Sequence, residues 1–135
     1  MSPRYLLDTN TVSYAIKGTV PRVRERLLKA PVSDVAISVI TEAELRFGIA
    51  KYPAATRLKV IVEEFLSLVD IRPWDSDAAR RYATLRAIVE REGRPIGNLD
   101  VMIAAHTMAL GAVLVSGDRV FRRIKGLLIE DWGTS

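Results

Sequence analysis

The chain has 135 residues, 49% of them hydrophobic, and carries 20 basic against 16 acidic side chains for a net charge of +4. This length and apolar content predict a single domain, residues 1–135, with one core. The lack of cysteine excludes disulfides and thiol catalysis, and the single histidine, His106, leaves too few ligands for a zinc site.

Neither a membrane span nor an export signal is predicted. Apolar runs such as AVLV at 112–115 are far shorter than the roughly 20 residues that a membrane helix needs. The N-terminal stretch MSPRYLLDTN has an acidic residue where a signal peptide needs an uninterrupted apolar segment. We therefore expect a cytoplasmic protein, and its basic excess favours a polyanionic partner.

Apolar runs and turn residues predict strands that alternate with helices. The predicted strands cover residues 4–7, 35–38, 69–72, 112–115 and 127–131. The predicted helices cover residues 9–17, 20–29, 41–51, 54–68, 76–92, 98–110 and 119–124, with Thr41 and Asn98 as expected caps. This alternation predicts an α/β fold of three layers, α/β/α, around a mainly parallel sheet. Ligands of such sheets bind at the carboxyl ends of the strands.

Three acidic residues lie where such a site is expected. Asp8 (in YLLDTN) and Asp118 (in VSGDRVF) follow predicted strands, so each could cap the next helix or take part in chemistry. Asp100 (in GNLDVMIAAH) lies in the first turn of a helix, where the helix dipole favours an acid. Because that helix is apolar on nearly all sides, it is expected to be buried, with the carboxylate at its tip facing a pocket.

Glu44, in SVITEAELRFG, is the fourth candidate. It borders a helical face that we expect to point to the core, formed by Ile40, Ala43, Phe47 and Ala50. Its neighbour four residues on is Gly48, so the usual helical ion pair is not available. Glu42 instead has Arg46 at that spacing, and a solvated ion pair explains it without a function.

These four acids are expected to converge on one edge of the sheet. Unpaired carboxylates repel one another and raise one another's pKa, which costs stability unless a cation compensates their charge. Ligand sets made of oxygen alone select Mg²⁺ or Mn²⁺. On a basic protein, such metals suit the hydrolysis of phosphodiester bonds. Arg46, Arg94 and Arg119 are candidates for phosphate contacts, while His106, within VMIAAHTMAL, is expected to serve packing.

The segments YLLDTN, ISVITEAELRFG, GRPIGNLDVMIAAH and LVSGDRVFRRIKGLLIEDW resemble, in order and context, those of PIN-domain ribonucleases. More narrowly, they resemble the VapC-type toxins of type II toxin–antitoxin systems, from Tyr5 to Trp132. The resemblance implies that Asp8 and Asp100 are the primary metal ligands. It implies that Glu44 and Asp118 bind the metal secondarily or through water, and that Ser116 is a further candidate. The run VSGD differs from the family's commoner Thr-Asn-Asn or Thr-Asn-Asp.

The resemblance also implies a single PIN domain, a homodimer and a cognate VapB-type antitoxin whose tail covers the active-site groove. The implied activity is Mg²⁺- or Mn²⁺-dependent cleavage of single-stranded loops in structured RNA, with tRNA as the expected substrate. Two other interpretations stay open. One is a catalytically silent module of the same fold that binds antitoxin or nucleic acid. The other is a phosphate-accepting signalling domain, although the expected Lys after a late strand is missing.

Overall fold

The computed structural model describes residues 2–134, so Met1 and Ser135, the limits of the predicted domain, lie outside the described residues. Within that range the chain folds into a five-stranded parallel sheet with helices packed against it. The strands are β1 (Tyr5–Leu7), β2 (Val35–Ser38), β3 (Asp70–Arg72), β4 (Val113–Val115) and β5 (Ile129–Glu130). The helices are α1 (Thr9–Lys17), α2 (Pro21–Lys29), α3 (Val39–Lys51), α4 (Thr56–Leu68), α5 (Ser76–Glu92) and α6 (Asn98–Leu110), with short 3₁₀ helices at Val32–Asp34 and Arg119–Arg123.

The strands are ordered β3-β2-β1-β4-β5. The chain moves outward from β1 through β2 to β3, and then returns to β4 on the other side of β1. Since such crossovers are right-handed, α1 to α4 and the pair α5 and α6 cover opposite faces of the sheet. On one face Leu7 packs with Val12 and Leu45, and on the other Leu114 packs with Ile103. The predicted three-layer fold with a parallel sheet is confirmed.

Two predicted caps are wrong. The helix α3 begins at Val39, directly after β2, and its cap is Ser38, whose hydroxyl accepts a hydrogen bond from the Ile40 N–H at 3.0 Å. Thr41 is instead a buried residue inside the helix. Asn98 is the first residue of α6, and Gly97 precedes it as the cap position.

The predicted inner face of α3 is also wrong. Thr41 and Leu45 are buried, whereas Phe47 is 65% exposed and Ala43 and Ala50 are exposed too. Apolar side chains occur on all sides of this helix, so their spacing does not select one face. Tertiary packing decides the face: Leu45 packs in the cluster that contains α1 and α4, and Ile40 packs against the cluster that contains α6.

In the described part of the chain, no helix is both long and apolar enough to cross a membrane.

Candidate active site

The carboxyl ends of β1 and β4 form the crevice in which a ligand of this sheet is expected. The two strands are neighbours at the middle of the sheet, but the chain leaves β1 towards β2 and leaves β4 towards β5. In open parallel sheets this divergence opens a binding crevice. Asp8 follows β1 directly and its backbone N–H donates to the Val115 carbonyl at 3.1 Å, while Asp118 comes three residues after Val115. Both acids therefore lie just beyond the carboxyl ends of two neighbouring strands.

A cavity of about 90 Å³ lies at this crevice. Its lining side chains include all four candidate acids together with two polar and two apolar neighbours: Asp8, Glu44, Asp100, Asp118, Thr9, Asn10, Ile103 and Phe121. The expected convergence of the four acids is thus present in the fold, although they come from four separate segments of the chain. Their role as metal ligands stays a prediction.

Asp8 combines the two interpretations that the sequence left open. It is buried, with 6% of its surface exposed, and its Oδ1 accepts a hydrogen bond from the Thr11 backbone N–H at 2.8 Å. It is therefore a structural N-cap of α1. The same carboxylate lines the acidic cavity, so capping fixes its position without removing it from the site.

Glu44 is held by a residue that the sequence alone did not single out. The Thr9 hydroxyl donates to Glu44 Oε1 at 2.6 Å and lies 3.4 Å from the Thr41 hydroxyl. Thr9 follows Asp8 in the chain, so the start of α1 positions two of the four carboxylates. The only sequence signal was the position of Thr9 beside an acid at the end of a strand. Thr9 is a positioning residue for Glu44.

Asp118 is held by the loop that follows β4. The buried Ser116 hydroxyl accepts a hydrogen bond from the Asp118 N–H at 3.0 Å, and Asp118 Oδ1 accepts one from the Val120 N–H at 3.0 Å. The second bond caps the 3₁₀ helix Arg119–Arg123. Ser116 therefore shapes the loop that carries Asp118, and its role near a metal stays a prediction.

The electrostatics of the cavity are visible at Asp100. Burial raises the pKa of this half-buried carboxyl group, and the negative charges of Asp118, Glu44 and Asp8 raise it further. The protonated form is thus favoured by both the loss of water and the nearby carboxylates. The charges of all three acidic neighbours raise the pKa of Asp100, and this repulsion is expected when four carboxylates converge.

The donor chemistry of the cavity fits a hard divalent cation, because four carboxylates supply only oxygen ligands and an excess of negative charge. Within residues 2–134, no three Asp, Glu or His side chains form a ready-made ligand set by themselves. Three of the carboxylates, those of Asp8, Glu44 and Asp118, already accept hydrogen bonds from the chain. A cation would therefore draw carboxylates inward or bind some of them through water.

The three candidate arginines differ in their surroundings. Arg46 is paired with Glu42 at 2.8 Å, as expected, and also with Glu63 at 2.6 Å. Any contact between Arg46 and a phosphate would compete with both carboxylates. Arg94 and Arg119 are exposed, and Arg119 directly follows Asp118. Phosphate contacts by the three arginines remain predictions.

His106 has the packing role that the sequence predicts. It is buried, and its Nδ1 lies 2.8 Å from the Ser38 hydroxyl. The ring also hydrogen-bonds to the backbone of Pro73. Because proline has no backbone N–H, the ring donates this bond to the Pro73 carbonyl. This neutral ring joins α6 to the start of α3 and to the segment before α5. Burial lowers the pKa of His106, and the effect of Arg72 is in the same direction, whereas Asp75 and the Pro73 bond oppose it.

The free energy of unfolding is expected to fall as the pH is lowered from about 7 to about 5, and His106→Gln is expected to remove most of that slope. Because the pKa of His106 is lower in the folded state than in the unfolded chain, unfolding takes up a proton in this range, and acid favours it. Denaturant titration at several pH values measures the slope. Asp100 affects the pH dependence in the opposite direction, because its raised pKa makes the fold more stable as the pH falls. The protein with His106 and the His106→Gln variant should therefore both carry Asp100→Asn. An equal slope with and without His106 would contradict the neutral buried ring.

Comparisons with known proteins agree with this geometry. A family model described as PIN domain matches residues 5–127. A relative from Salmonella typhimurium, named tRNA(fMet)-specific endonuclease VapC, is 39% identical over 130 residues, which cover 96% of this chain and 98% of the relative. The DNA-bound VapBC structure from Salmonella typhimurium matches with a TM-score of 0.89 at 39% identity, covering 96% of this chain and 98% of that chain. VapBC2 from Rickettsia felis, solved with a DNA fragment from the promoter, matches with a TM-score of 0.86 at 33% identity and covers 95% and 98%. The chain therefore belongs to the PIN-domain family and, within it, to the VapC-type ribonucleases.

Proposed function

We propose that this protein is a Mg²⁺- or Mn²⁺-dependent endoribonuclease toxin that cuts single-stranded loops of structured RNA. The proposal extends to the whole chain, residues 1–135, as one PIN domain that acts in the cytoplasm. One observation carries it: four carboxylates from separate segments line a single small cavity at the central crevice of the sheet. The rise in the pKa of Asp100 supports an excess of negative charge there that a divalent cation would compensate.

Each carboxylate has a proposed part in holding the cation. Asp8 and Asp100 are the primary ligands, and Glu44 and Asp118 complete the site directly or through water. A bound divalent cation supplies a more acidic water molecule and stabilises negative charge on a phosphate. The chain itself fixes the ligands: the α1 cap holds Asp8, Thr9 holds Glu44, and the β4 loop holds Asp118. Asn10 is exposed and lines the cavity, so its amide can orient a phosphate or sugar.

The proposed substrate is a tRNA. The Salmonella typhimurium relative is named a tRNA(fMet)-specific endonuclease, and a Shigella flexneri relative with the same name is 36% identical over 130 residues. The proposed protein partners are a cognate VapB-type antitoxin and a second copy of this chain. Both solved relatives described above are VapBC assemblies bound to DNA, which supports a toxin that is held by an antitoxin.

Incubation of the purified protein with tRNA tests the activity. With Mg²⁺ or Mn²⁺ we expect cleavage within a single-stranded loop, and with a chelator we expect none. Because water and not the ribose 2′-hydroxyl is the expected nucleophile, the fragments should carry a 5′ phosphate and a 3′ hydroxyl, which sequencing of the RNA ends reports. Metal-independent cleavage, or a 2′,3′-cyclic phosphate at the cut, would contradict the proposal. Tight RNA binding without any cleavage would favour the silent binding module.

A further inference from the structure

A second and larger cavity adjoins the acidic one. It has a volume of about 470 Å³, and it shares Asn10 and Asp118 with the acidic cavity. Its far side is formed by Asp131 and Trp132, which directly follow the edge strand β5. Because all strands are parallel, this position is at the same end of the sheet as the four carboxylates. A group bound in the larger cavity would therefore lie beside the reacting phosphate.

The charge of this second cavity disfavours a phosphate. Within the described residues, its lining contains two carboxylates, those of Asp118 and Asp131, and no lysine or arginine. A phosphate would be repelled there, whereas an uncharged group would not. The Tyr14 ring, which is 40% exposed, lines this space and is accessible to a base, whereas Trp132, also in the lining, is 2% exposed. Proteins that bind unpaired RNA bases stack them on aromatic rings of this kind. The volume suits a small-molecule-sized group such as a base with its ribose.

Asp131 offers one available hydrogen-bond acceptor to such a base. Its Oδ1 accepts a hydrogen bond from the Gly133 N–H at 2.9 Å, so Oδ2 is the oxygen left for a ligand. A methyl group on Gly117 would lie 3.4 Å from both carboxylate oxygens, so the loop that carries Asp118 runs beside Asp131. A carboxylate oxygen accepts only donors, and the exocyclic amino groups of cytosine, adenine and guanine are donors. Uracil presents a carbonyl oxygen at the equivalent position of cytosine, and the carboxylate repels this oxygen.

We propose that the cavity between Tyr14 and Asp131 binds one unpaired, amino-bearing nucleobase of the RNA next to the cleaved phosphate, and rejects uracil. This subsite rests on the proposed ribonuclease function, and it adds a base preference to it. Tyr14 stacks on the base and Asp131 Oδ2 accepts a hydrogen bond from its amino group. Asn10 and Asp118, which line both cavities, connect the base to the reaction centre.

Cytidine and uridine are the matched probes, because they differ in whether an amino group or a carbonyl stands at one ring position. Titration of the full chain with each nucleoside, followed by tryptophan fluorescence, to which Trp132 in the cavity lining contributes, is expected to show at least tenfold tighter binding of cytidine. Asp131→Asn should reverse the preference to uridine. The Asn side chain can keep its oxygen on the Gly133 N–H, which leaves its NH₂ group to face the base. Equal binding of the two nucleosides, or an unchanged preference in Asp131→Asn, would overturn the proposal.

Two further variants separate stacking from base selection. Tyr14→Leu should weaken the binding of both nucleosides by about fivefold or more but keep the preference for cytidine. Tyr14→Phe should bind both nucleosides as the parent does. Asp77→Asn, at an exposed position of α5 outside this cavity, should change neither. If Asp131→Asn fails to fold, the Tyr14 pair decides alone, since identical binding by the Leu and Phe variants would exclude the cavity.

The same preference is expected in cleavage. Two RNA hairpins that differ only by cytosine or uracil beside the cut should be cleaved at rates at least tenfold apart, and Asp131→Asn should reverse their order. If neither hairpin nor tRNA is cut under any metal condition, the ribonuclease proposal fails, and the nucleoside titration then decides the subsite by itself. If RNA is cut but both hairpins react equally, the ribonuclease proposal stands and the subsite is wrong.

Discussion

Asp8→Asn and Asp100→Asn are each expected to reduce tRNA cleavage by more than the 10- to 100-fold that loss of an outer-shell partner typically costs at a metal site. Each change removes the negative charge of a proposed metal ligand and alters little volume. Asp8→Asn should also stay folded, because Asn caps a helix about as well as Asp and can keep the bond from the Thr11 N–H. Initial rates of tRNA cleavage at saturating Mg²⁺, with the melting temperature as a folding check, measure the effect.

Glu42→Gln is the matched control for this loss. Glu42 lies on the same helix as Glu44, but it pairs with Arg46 at 2.8 Å and is not part of the acidic cavity lining. Its cleavage rate should remain within about twofold of the parent, since the ion pair is partly exposed and Glu42 does not line the acidic cavity. Parental rates in both Asp variants would rule out the proposed ligands. Equal losses in Glu42→Gln and the Asp variants would mean that any loss of negative charge near α3 suffices.

Thr9→Val is expected to cleave tRNA at a rate between that of Glu42→Gln and those of the two Asp variants. It removes the hydroxyl that holds Glu44 Oε1 but leaves all four carboxylates in place. Loss of such an outer partner typically costs 10- to 100-fold in metal affinity or activity. Raising the Mg²⁺ concentration should recover part of the rate in Thr9→Val, since its ligands are displaced and not deleted. It should recover little in Asp100→Asn.

Mg²⁺ or Mn²⁺ is expected to raise the melting temperature of the parent protein by several degrees. A ligand that binds only the folded state adds about 2.7 kcal/mol at a hundredfold excess over its Kd, and about 1 kcal/mol already shifts a domain of this size by a few degrees. Asp100→Asn should shrink the shift and also raise the melting temperature in chelator. Its burial and three acidic neighbours make the charged form of Asp100 unfavourable, as the direction of its pKa indicates, and Asn carries no charge.

Asp77→Asn controls for the opposing effect of the helix dipole. Asp77 and Asp100 both lie in the first turn of a helix, on α5 and α6, but Asp77 is exposed and has Arg80 as its partner. Loss of an acid at such a position alone should lower stability by about 0.3–1 kcal/mol, with or without metal. Thermal melts in chelator and in Mg²⁺ give the sign for each variant. A fall in chelator for Asp100→Asn with an unchanged metal shift would assign Asp100 to helix stabilisation alone.

For Asp8, the roles of helix cap and residue of the acidic cavity do not exclude each other. The cap is real, because Oδ1 accepts the Thr11 N–H, and the side chain also lines the acidic cavity. Asp8→Asn keeps the cap, so it cannot distinguish the two roles by a loss of stability. Asp100, whose pKa is raised by the other acids, is the sharper probe of repulsion.

The sequence by itself determined the order of strands and helices and the positions of the four acids. Strands such as VAIS and AVLV are short apolar runs because both faces of a parallel sheet are buried, and Gly93 and Gly111 end helices in the left-handed conformation that favours glycine. Acids at strand ends and at the start of α6 could then be assigned to one edge, because parallel strands bring their carboxyl ends together. These signals are local in the chain, which is why they can be read without a structure.

Tertiary structure alone decided which side chains support those acids. The inner face of α3 depends on its packing against neighbouring helices, which buries Thr41 and Leu45 and leaves Phe47 exposed. Thr9 reaches Glu44 across 35 positions of the chain, and Asp131 lies beside Gly117 from the neighbouring strand end. Contacts between distant segments depend on strand order and helix placement, and apolar spacing within one helix does not encode them. The convergence of the four candidate acids could therefore be predicted, whereas their hydrogen-bond partners and the adjoining cavity could not.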